Sequence, residues 1–241
     1  MKLEGQAALI TGASHGLGLS IARALGAEGA RVACMARPGD ELDHAVRGLA
    51  AERLTALAAP ADVTKSSEIE RAVRATLDAW GRIDIVVLNA GTWKGALLHE
   101  TSEETWDLLL DLNLKGAFLT LKHVVPAMIS RRGGTVIGIG SLGGTVGQSG
   151  ASAYAASKWG MRGLLESLAL EVKPHRIRVS LVHPHLMNSA GRAIAPGDPE
   201  RDRMIETSEV ASLVAWICAA PPHVSVGNAT IWPIAAGVTS F

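Results

Sequence analysis

The chain's first eighteen residues restrict its fold more than any other stretch. Gln6-Ala7-Ala8-Leu9-Ile10 is a short apolar run that stops at Thr11-Gly12, and glycines follow at G-x-x-x-G-x-G spacing through Gly12, Gly16 and Gly18. Continuous apolarity without alternation reads as a strand buried on both faces, as in a parallel sheet. A helical pattern runs from Leu17 to about Glu28 and ends at Gly29-Ala30, and Arg31–Met35 reads as a second strand. Together these form a βαβ unit. Glycines in the strand-to-helix turn allow a sharp bend. They also let a pyrophosphate approach the backbone, where helix N-terminal N–H groups and the helix dipole meet negative charge. The turn Gly12, Ser14, His15, Gly16, Leu17 and Gly18 is therefore a candidate dinucleotide cradle, because it follows a strand and opens a helix.

The alternation continues. Helical patterns cover about 41–52 and Ser66–Trp80, the latter with Ser66-Ser67-Glu68 as its cap. Thr101 or Ser102 opens a long helix to about Arg131 with a kink expected at Pro126, and further helices span Ser152–Val172 and 208–219. Strand-like runs lie at Leu54–Ala58, Asp84–Leu88, Gly134–Gly140, Ile177–Val182 and 229–232. This order predicts an α/β fold with one doubly wound parallel sheet and helices on both faces. A single domain is expected over residues 1–241, with a short substrate loop at about 185–206 that is rich in Pro, Gly and charge. Hydrophobic residues make up 48% and aromatics only 4%, so small aliphatic side chains must fill the core.

Lys plus Arg and Asp plus Glu number 23 each, which gives no electrostatic reason to expect nucleic acid. Cys34 and Cys218 form neither a metal spacing nor a disulfide framework. His183 and His185 have no third ligand at suitable spacing, so no metal is expected. No stretch has the length of a membrane span, and because a buried-looking strand starts within a few residues of Met1, no signal peptide is expected. The expected setting is cytoplasmic and the expected partner a small molecule.

The end of the second strand should meet the adenosine ribose, where an acid favours NAD and an arginine suits the 2′-phosphate of NADP. Here it reads Ala36-Arg37, with no acid until Asp40, and His15 adds partial charge from the glycine turn. A guanidinium matches a phosphate dianion. NADP is the expected cofactor, NAD is the alternative, and a merely solvated Arg37 stays open. Tyr154, the one tyrosine, precedes Lys158 by four positions, which places both on one helix face. A phenol beside an ammonium suits proton transfer.

With these motifs in view, the chain resembles the short-chain dehydrogenase/reductase family, in its compact form and its 3-oxoacyl reductase-like members. The likeness spans nearly the whole length. T-G-x-x-x-G-x-G at Thr11–Gly18 matches, as do Asp62-Val63, the family's adenine-contacting pair, and Asn89-Ala90-Gly91, which supports the sheet beside the cofactor. Asn113, Ser141, Tyr154 and Lys158 match the catalytic tetrad. The resemblance implies that Tyr154 protonates the carbonyl oxygen during reduction and acts as base in reverse. Ser141 would bind the same oxygen, Lys158 would hold the nicotinamide ribose and depress the Tyr154 pKa, and Asn113 would hold a relay water. It also implies that Pro184, Leu186, Met187 and Ser189 lie beside the nicotinamide.

Two segments depart from the family pattern. His185 stands where the family has glycine after Pro184, and its imidazole either points into the pocket or lies on the surface. The tail Gly227–Gly237 keeps its strand and late glycine but lacks the usual acid, which bears on the family's tetramer. A homodimer built on the helices of residues 102–131 and 152–172, or a homotetramer, is expected. Trp93, Leu142, Val146, Gln148 and His185 are candidate substrate contacts, suited to a medium-sized, mainly apolar ketone or secondary alcohol. No arginine cluster marks an anion clamp, although Arg192 lies in the lid. The expected activity is hydride transfer between NADP(H) and such a carbonyl or alcohol. An NAD(H)-dependent alcohol dehydrogenase and a non-catalytic dinucleotide sensor are the rival readings.

Overall fold

In the computed structural model the buried apolar runs assemble edge to edge as parallel strands. Residues 1–189 and 194–235 are described, so Arg192 and Gly237 lie outside the described residues. The strands of the main sheet are β1 (Ala7–Thr11), β2 (Arg31–Ala36), β3 (Ala56–Pro60), β4 (Ile85–Leu88), β5 (Gly134–Ile139), β6 (Ile177–Pro184) and an edge strand, Asn228–Ile231. Their spatial order is β3-β2-β1-β4-β5-β6 and then the edge strand, with every pairing parallel. The chain builds outward from β1 to β3, then crosses back to place β4 on the other side of β1. That reversal leaves a crevice outside the carboxyl ends of β1 and β4, the position where such sheets bind ligands.

The helices α1 (Gly16–Ala27), α2 (Asp40–Ala51) and α7 (Thr207–Cys218) cover one face of the sheet. The other face carries α3 (Ser66–Trp80), α5 (Gly116–Arg131) and α6 (Ser152–Val172). Period-two side-chain alternation divides each strand between two cores. In β1, Ala8 and Ile10 join the first layer while Leu9 joins the second. Burial on both faces is why β1 and β4 carry no polar alternation.

Several local expectations need correction. Ser66 does not cap α3: Lys65 is the N-cap residue, with no side-chain cap bond, and the Ser66 hydroxyl meets His123 Nε2 at 2.9 Å instead. Ser102 does cap, accepting from the Thr105 N–H, but the helix it opens, α4 (Glu103–Leu110), is short. Residues 111–115 then widen into a π turn before α5 begins. The break in regular winding therefore lies at the turn containing Asn113, and α5 runs through Pro126. Inside the 185–206 segment, Met187–Asn188 pairs with Ile205–Glu206 as a two-residue parallel ladder, so this segment is not a bare loop. No helix among the described residues is long and apolar enough to cross a membrane.

Candidate active site

The glycine turn is shaped by the proximity of two strand ends. Gly12 and Gly16 adopt φ of +65° and +55°, in the left-handed region that favours glycine. A Cβ on Gly12 would come within 2.9 Å of Ala90 Cα, and one on Gly18 within 2.6 Å of Asn89 Nδ2. Asn89 explains the closeness, since its Nδ2 donates to the carbonyls of Thr11 (2.9 Å) and Gly12 (3.1 Å). The Thr11 hydroxyl donates to the Val87 carbonyl and accepts from the N–H groups of Asn89 and Ala90, both at 2.9 Å. Thr11 is thus the stitch between β1 and β4. Its only sequence signal was its place at the head of the glycine motif. The first turn of α1 has neither a side-chain cap nor an acidic residue, which leaves its N–H groups suited to an anion. These features fit a dinucleotide pyrophosphate.

Around the turn, a groove of about 440 Å³ is lined by Ser14 and His15 on one side and by Asp40, Glu41 and His44 on the other. Arg37 is exposed just beyond β2. Asp62 Oδ1 accepts from the Thr64 N–H and hydroxyl. Burial pushes the Asp62 carboxyl up, but these bonds and the charges of Lys65 and Arg37 outweigh it and hold the pKa low. Val63 is a core residue, packed so close to Gly116 that a Cβ there would come within 2.9 Å of its Cγ2. Leu17 is also core, and Met187 packs against the α1/α7 layer.

The π turn delivers Asn113 into the interior, 1% exposed. Its Oδ1 accepts from the Thr92 N–H at 2.8 Å, and its Nδ2 donates to the Thr92 carbonyl and the Ser157 hydroxyl, each at 3.0 Å. Ser157 in turn donates to the Tyr154 carbonyl at 2.7 Å. Both amide protons of Asn113 are therefore spent on protein partners, which makes its side chain a brace between Gly91-Thr92 and α6. Ser157 and Thr92 carry this brace and were not singled out in the sequence.

Ser141 opens a short 3₁₀ turn (142–144), and its hydroxyl accepts from the Gly143 N–H at 3.2 Å. Gly143 lies against the Tyr154 ring, so the turn and the phenol are packed neighbours. Burial raises the Tyr154 pKa, and a hydrogen bond with the Ser141 hydroxyl pulls the other way without cancelling it. The expected depression by Lys158 is not what the geometry shows. Lys158 is 6% exposed, its Nζ donates to the Ile139 carbonyl at 2.9 Å, and it stands 5.8 Å from the Tyr154 ring centroid. Burial lowers its own pKa to about 8. The amine takes the carbonyl within its reach, and desolvation dominates both groups.

The rim is built differently. Trp93 is 63% exposed and lies over Gly95, where a Cβ would come within 2.7 Å of the indole. The Ala96 N–H donates to the Gly150 carbonyl at 2.9 Å, tying the Trp93 loop to the 142–150 loop that carries Leu142, Val146 and the exposed Gln148. Pro184 ends β6, and the His185 N–H donates to Ile231 on the edge strand. His185 is half-buried, and that burial lowers its pKa. Leu186, not residue 185, takes a positive φ of +44°. Asn188 donates to Glu206, which also accepts from Arg201 Nε at 2.6 Å, while Ser189 is half-buried beyond them. No cluster of His, Cys, Asp or Glu suited to a metal occurs among the described residues.

Comparison with known proteins gives consistent likenesses. The family model described as short chain dehydrogenase matches residues 6–196. The 3-oxoacyl-(acyl-carrier-protein) reductase of Thermotoga maritima is 38% identical over 186 residues, covering 76% of this chain and 75% of that protein. Glycine betaine reductase ATRR of Emericella nidulans is 32% identical over 239 residues, 96% of this chain but 19% of that much longer protein. Among solved structures, a metagenomic short-chain oxidoreductase in complex with NADP is 36% identical, covers 98% of this chain and 100% of that chain, and superposes with a TM-score of 0.84.

Proposed function

Because the chain belongs to the short-chain dehydrogenase family, we propose that it transfers a hydride between NADP(H) and the carbonyl or secondary alcohol of a medium-sized, mainly apolar substrate. The observation that carries this reading is the meeting of the Ser141 turn, the Tyr154 ring and buried Lys158 at one corner of the site. Gly12, Ser14, His15, Gly16, Leu17 and Gly18 would hold the pyrophosphate. Asp62 and Val63 would lie by the adenine, Asn89–Gly91 would lie under the cofactor, and Pro184, Leu186, Met187 and Ser189 would lie beside the nicotinamide. When bound, the nicotinamide supplies or accepts the hydride.

Tyr154 gives its proton to the carbonyl oxygen in reduction and takes it back in oxidation. Burial keeps the phenol protonated, the form that donates, and the Ser141 hydroxyl stabilises negative charge developing on the same oxygen. Lys158, whose pKa burial lowers to about 8, adds positive charge to this buried corner in its protonated form. Asn113 fixes the wall on which Tyr154 stands through Ser157. Leu142, Val146 and Trp93 would line an apolar mouth, with Gln148 and His185 as polar contacts. The likeness to a 3-oxoacyl reductase supports a carbonyl substrate. Exposed Trp106, Phe118 and Trp159 on α4, α5 and α6 support a homodimer through those helices.

Tyr154→Phe removes only the proton donor. We expect kcat/KM to fall about 10²–10⁴-fold over a panel of ketones and alcohols, with NADPH binding by fluorescence unchanged. Wild-type turnover in that variant would defeat the assignment. NADP is favoured by Arg37 and His15 and by the NADP complex of the metagenomic relative. NAD remains the second reading, because Asp40 and Glu41 share the groove with His15. Arg37→Asp should weaken NADPH binding about tenfold or more, the scale of one charge-assisted hydrogen bond, while NADH binding holds. Unchanged NADPH affinity would favour NAD.

A further inference from the structure

Behind the Ser141 turn lies an imidazole that the proposed chemistry does not use. His183, near the end of β6, is fully buried. Its Nδ1 stands 3.0 Å from the Ser141 carbonyl oxygen, and its Nε2 stands 3.2 Å from Oδ1 of Asn228 on the edge strand. A carbonyl only accepts, so Nδ1 carries a proton in that bond whatever the charge of the ring. The ring fits because residue 140 has no side chain: a Cβ on Gly140 would come within 2.5 Å of Nδ1. Asn228 Nδ2 donates onward to Glu166 Oε1 at 3.4 Å, and Glu166 pairs with Arg162 on the exposed face of α6. A continuous set of polar contacts thus runs from that face to the serine turn.

The Ser141 carbonyl accepts twice. The Gly144 N–H, at 2.9 Å, closes the 142–144 turn, and His183 ties the closed turn to β6. Because Gly143 packs against the Tyr154 ring, a shift of this turn would displace the Ser141 hydroxyl relative to the neighbouring phenol.

We infer that His183 is a positioning residue for the reaction, holding the Ser141 hydroxyl in line with Tyr154 through the serine's backbone carbonyl. The inference rests on the reading of Ser141 and Tyr154 as the reacting hydroxyls. His183 touches neither hydroxyl and acts only through the turn.

A merely space-filling core histidine would behave differently under substitution. Asparagine at 183 can set its amide nitrogen where Nδ1 stands, glutamine reaches instead toward the place of Nε2, and leucine offers no donor. For His183→Leu and His183→Gln, kcat should fall about 10–100-fold, the scale of a displacement of about 1 Å at a reacting group. His183→Asn should restore kcat to within about threefold of wild type by the same positioning logic. KM for the ketone and Kd for NADPH should hold in all three. If the leucine variant fails to fold, the contrast between asparagine and glutamine decides the matter. Nitrogen-15 NMR of the histidines, independent of turnover, should show a proton on His183 Nδ1. Equal kcat in the asparagine and glutamine variants, kcat tracking melting temperature across the series, or an unprotonated Nδ1 would each overturn the inference. Ser141→Ala, run alongside, separates the failures. Full turnover there removes the underlying reading of Ser141, whereas an inactive Ser141→Ala with equal asparagine and glutamine variants removes only the role of His183.

Discussion

The floor of the candidate site and its rim are held by different physics. On the floor, short polar side chains are buried or half-buried and hydrogen-bonded: Thr11 and Asn89 join β1 to β4, and Asn113 joins Thr92 to α6. At the rim, the described residues between 186 and 206 depend on a two-residue ladder, a strained Leu186 and a half-exposed cluster of Asn188, Arg201 and Glu206. Buried bonds are costly to leave half made, whereas exposed ion pairs contribute little. The floor should therefore fix the chemistry, and the rim should be free to set which substrate enters.

The largest test strikes the floor. Asn113→Leu leaves the Thr92 N–H and carbonyl without their partner and takes one donor from the Ser157 hydroxyl, which keeps the Tyr154 carbonyl. Unmade buried bonds of this kind should cost about 3 kcal/mol, or about 6–12 °C in Tm for a chain of this size. A matched cut at the rim, Arg201→Gln, should cost under about 1 kcal/mol, as partly exposed pairs do. Equal losses in thermal melts of the two variants would erase the distinction.

A second test uses Lys158, whose pKa burial lowers from 10.5 to about 8. Because the folded value is the lower one, the unfolded chain binds more protons between those values, and this group's contribution to stability rises with pH across that window. The slope is about 1 kcal/mol per pH unit. Burial acts with the opposite sign on Cys34 and Cys218, pushed up to about 12, and on Tyr154, whose pKa is also raised. Those groups ionise first in the unfolded chain and lower stability as pH climbs, so the raw curve mixes the two signs. The difference in unfolding free energy between wild type and Lys158→Met isolates the lysine. It should shift in favour of wild type by about 1 kcal/mol from pH 8 to pH 9. A flat difference would show that the amine is better solvated than its position implies.

The same division explains what could be read from residues alone. The glycine turn, the buried strands and helices α3 and α6 were legible because glycine spacing and apolar runs are local signals. What escaped depends on contacts between distant segments. Pro126 was a visible reason for a kink, yet the irregular turn falls at 111–115, where Asn113 must reach Thr92 across the molecule. Tyr154 and Lys158 share a helix face as their spacing requires, but spacing could not show that the amine would take the Ile139 carbonyl. For His183 the sequence spoke only against a metal site, because Gly140 and Asn228 meet it only once β5, β6 and the edge strand are paired.

The smallest expected effect probes the rim. Leu186 holds φ at +44°, which costs a non-glycine residue about 1 kcal/mol. Glycine at this position would release that strain, but it adds unfolded-chain entropy worth roughly the same amount and removes a half-buried apolar side chain. The ladder itself survives, since it is the Leu186 carbonyl that accepts from the Ile205 N–H. Leu186→Gly should therefore change stability by less than about 1 kcal/mol, read as a Tm within about 4 °C of wild type. KM for a bulky ketone should change several-fold as the rim loses a side chain, with kcat nearly constant because every bond on the floor is untouched. A tenfold fall in kcat at unchanged Tm would mean that the rim, too, positions the reacting hydroxyls, and the division between the two regions would fail.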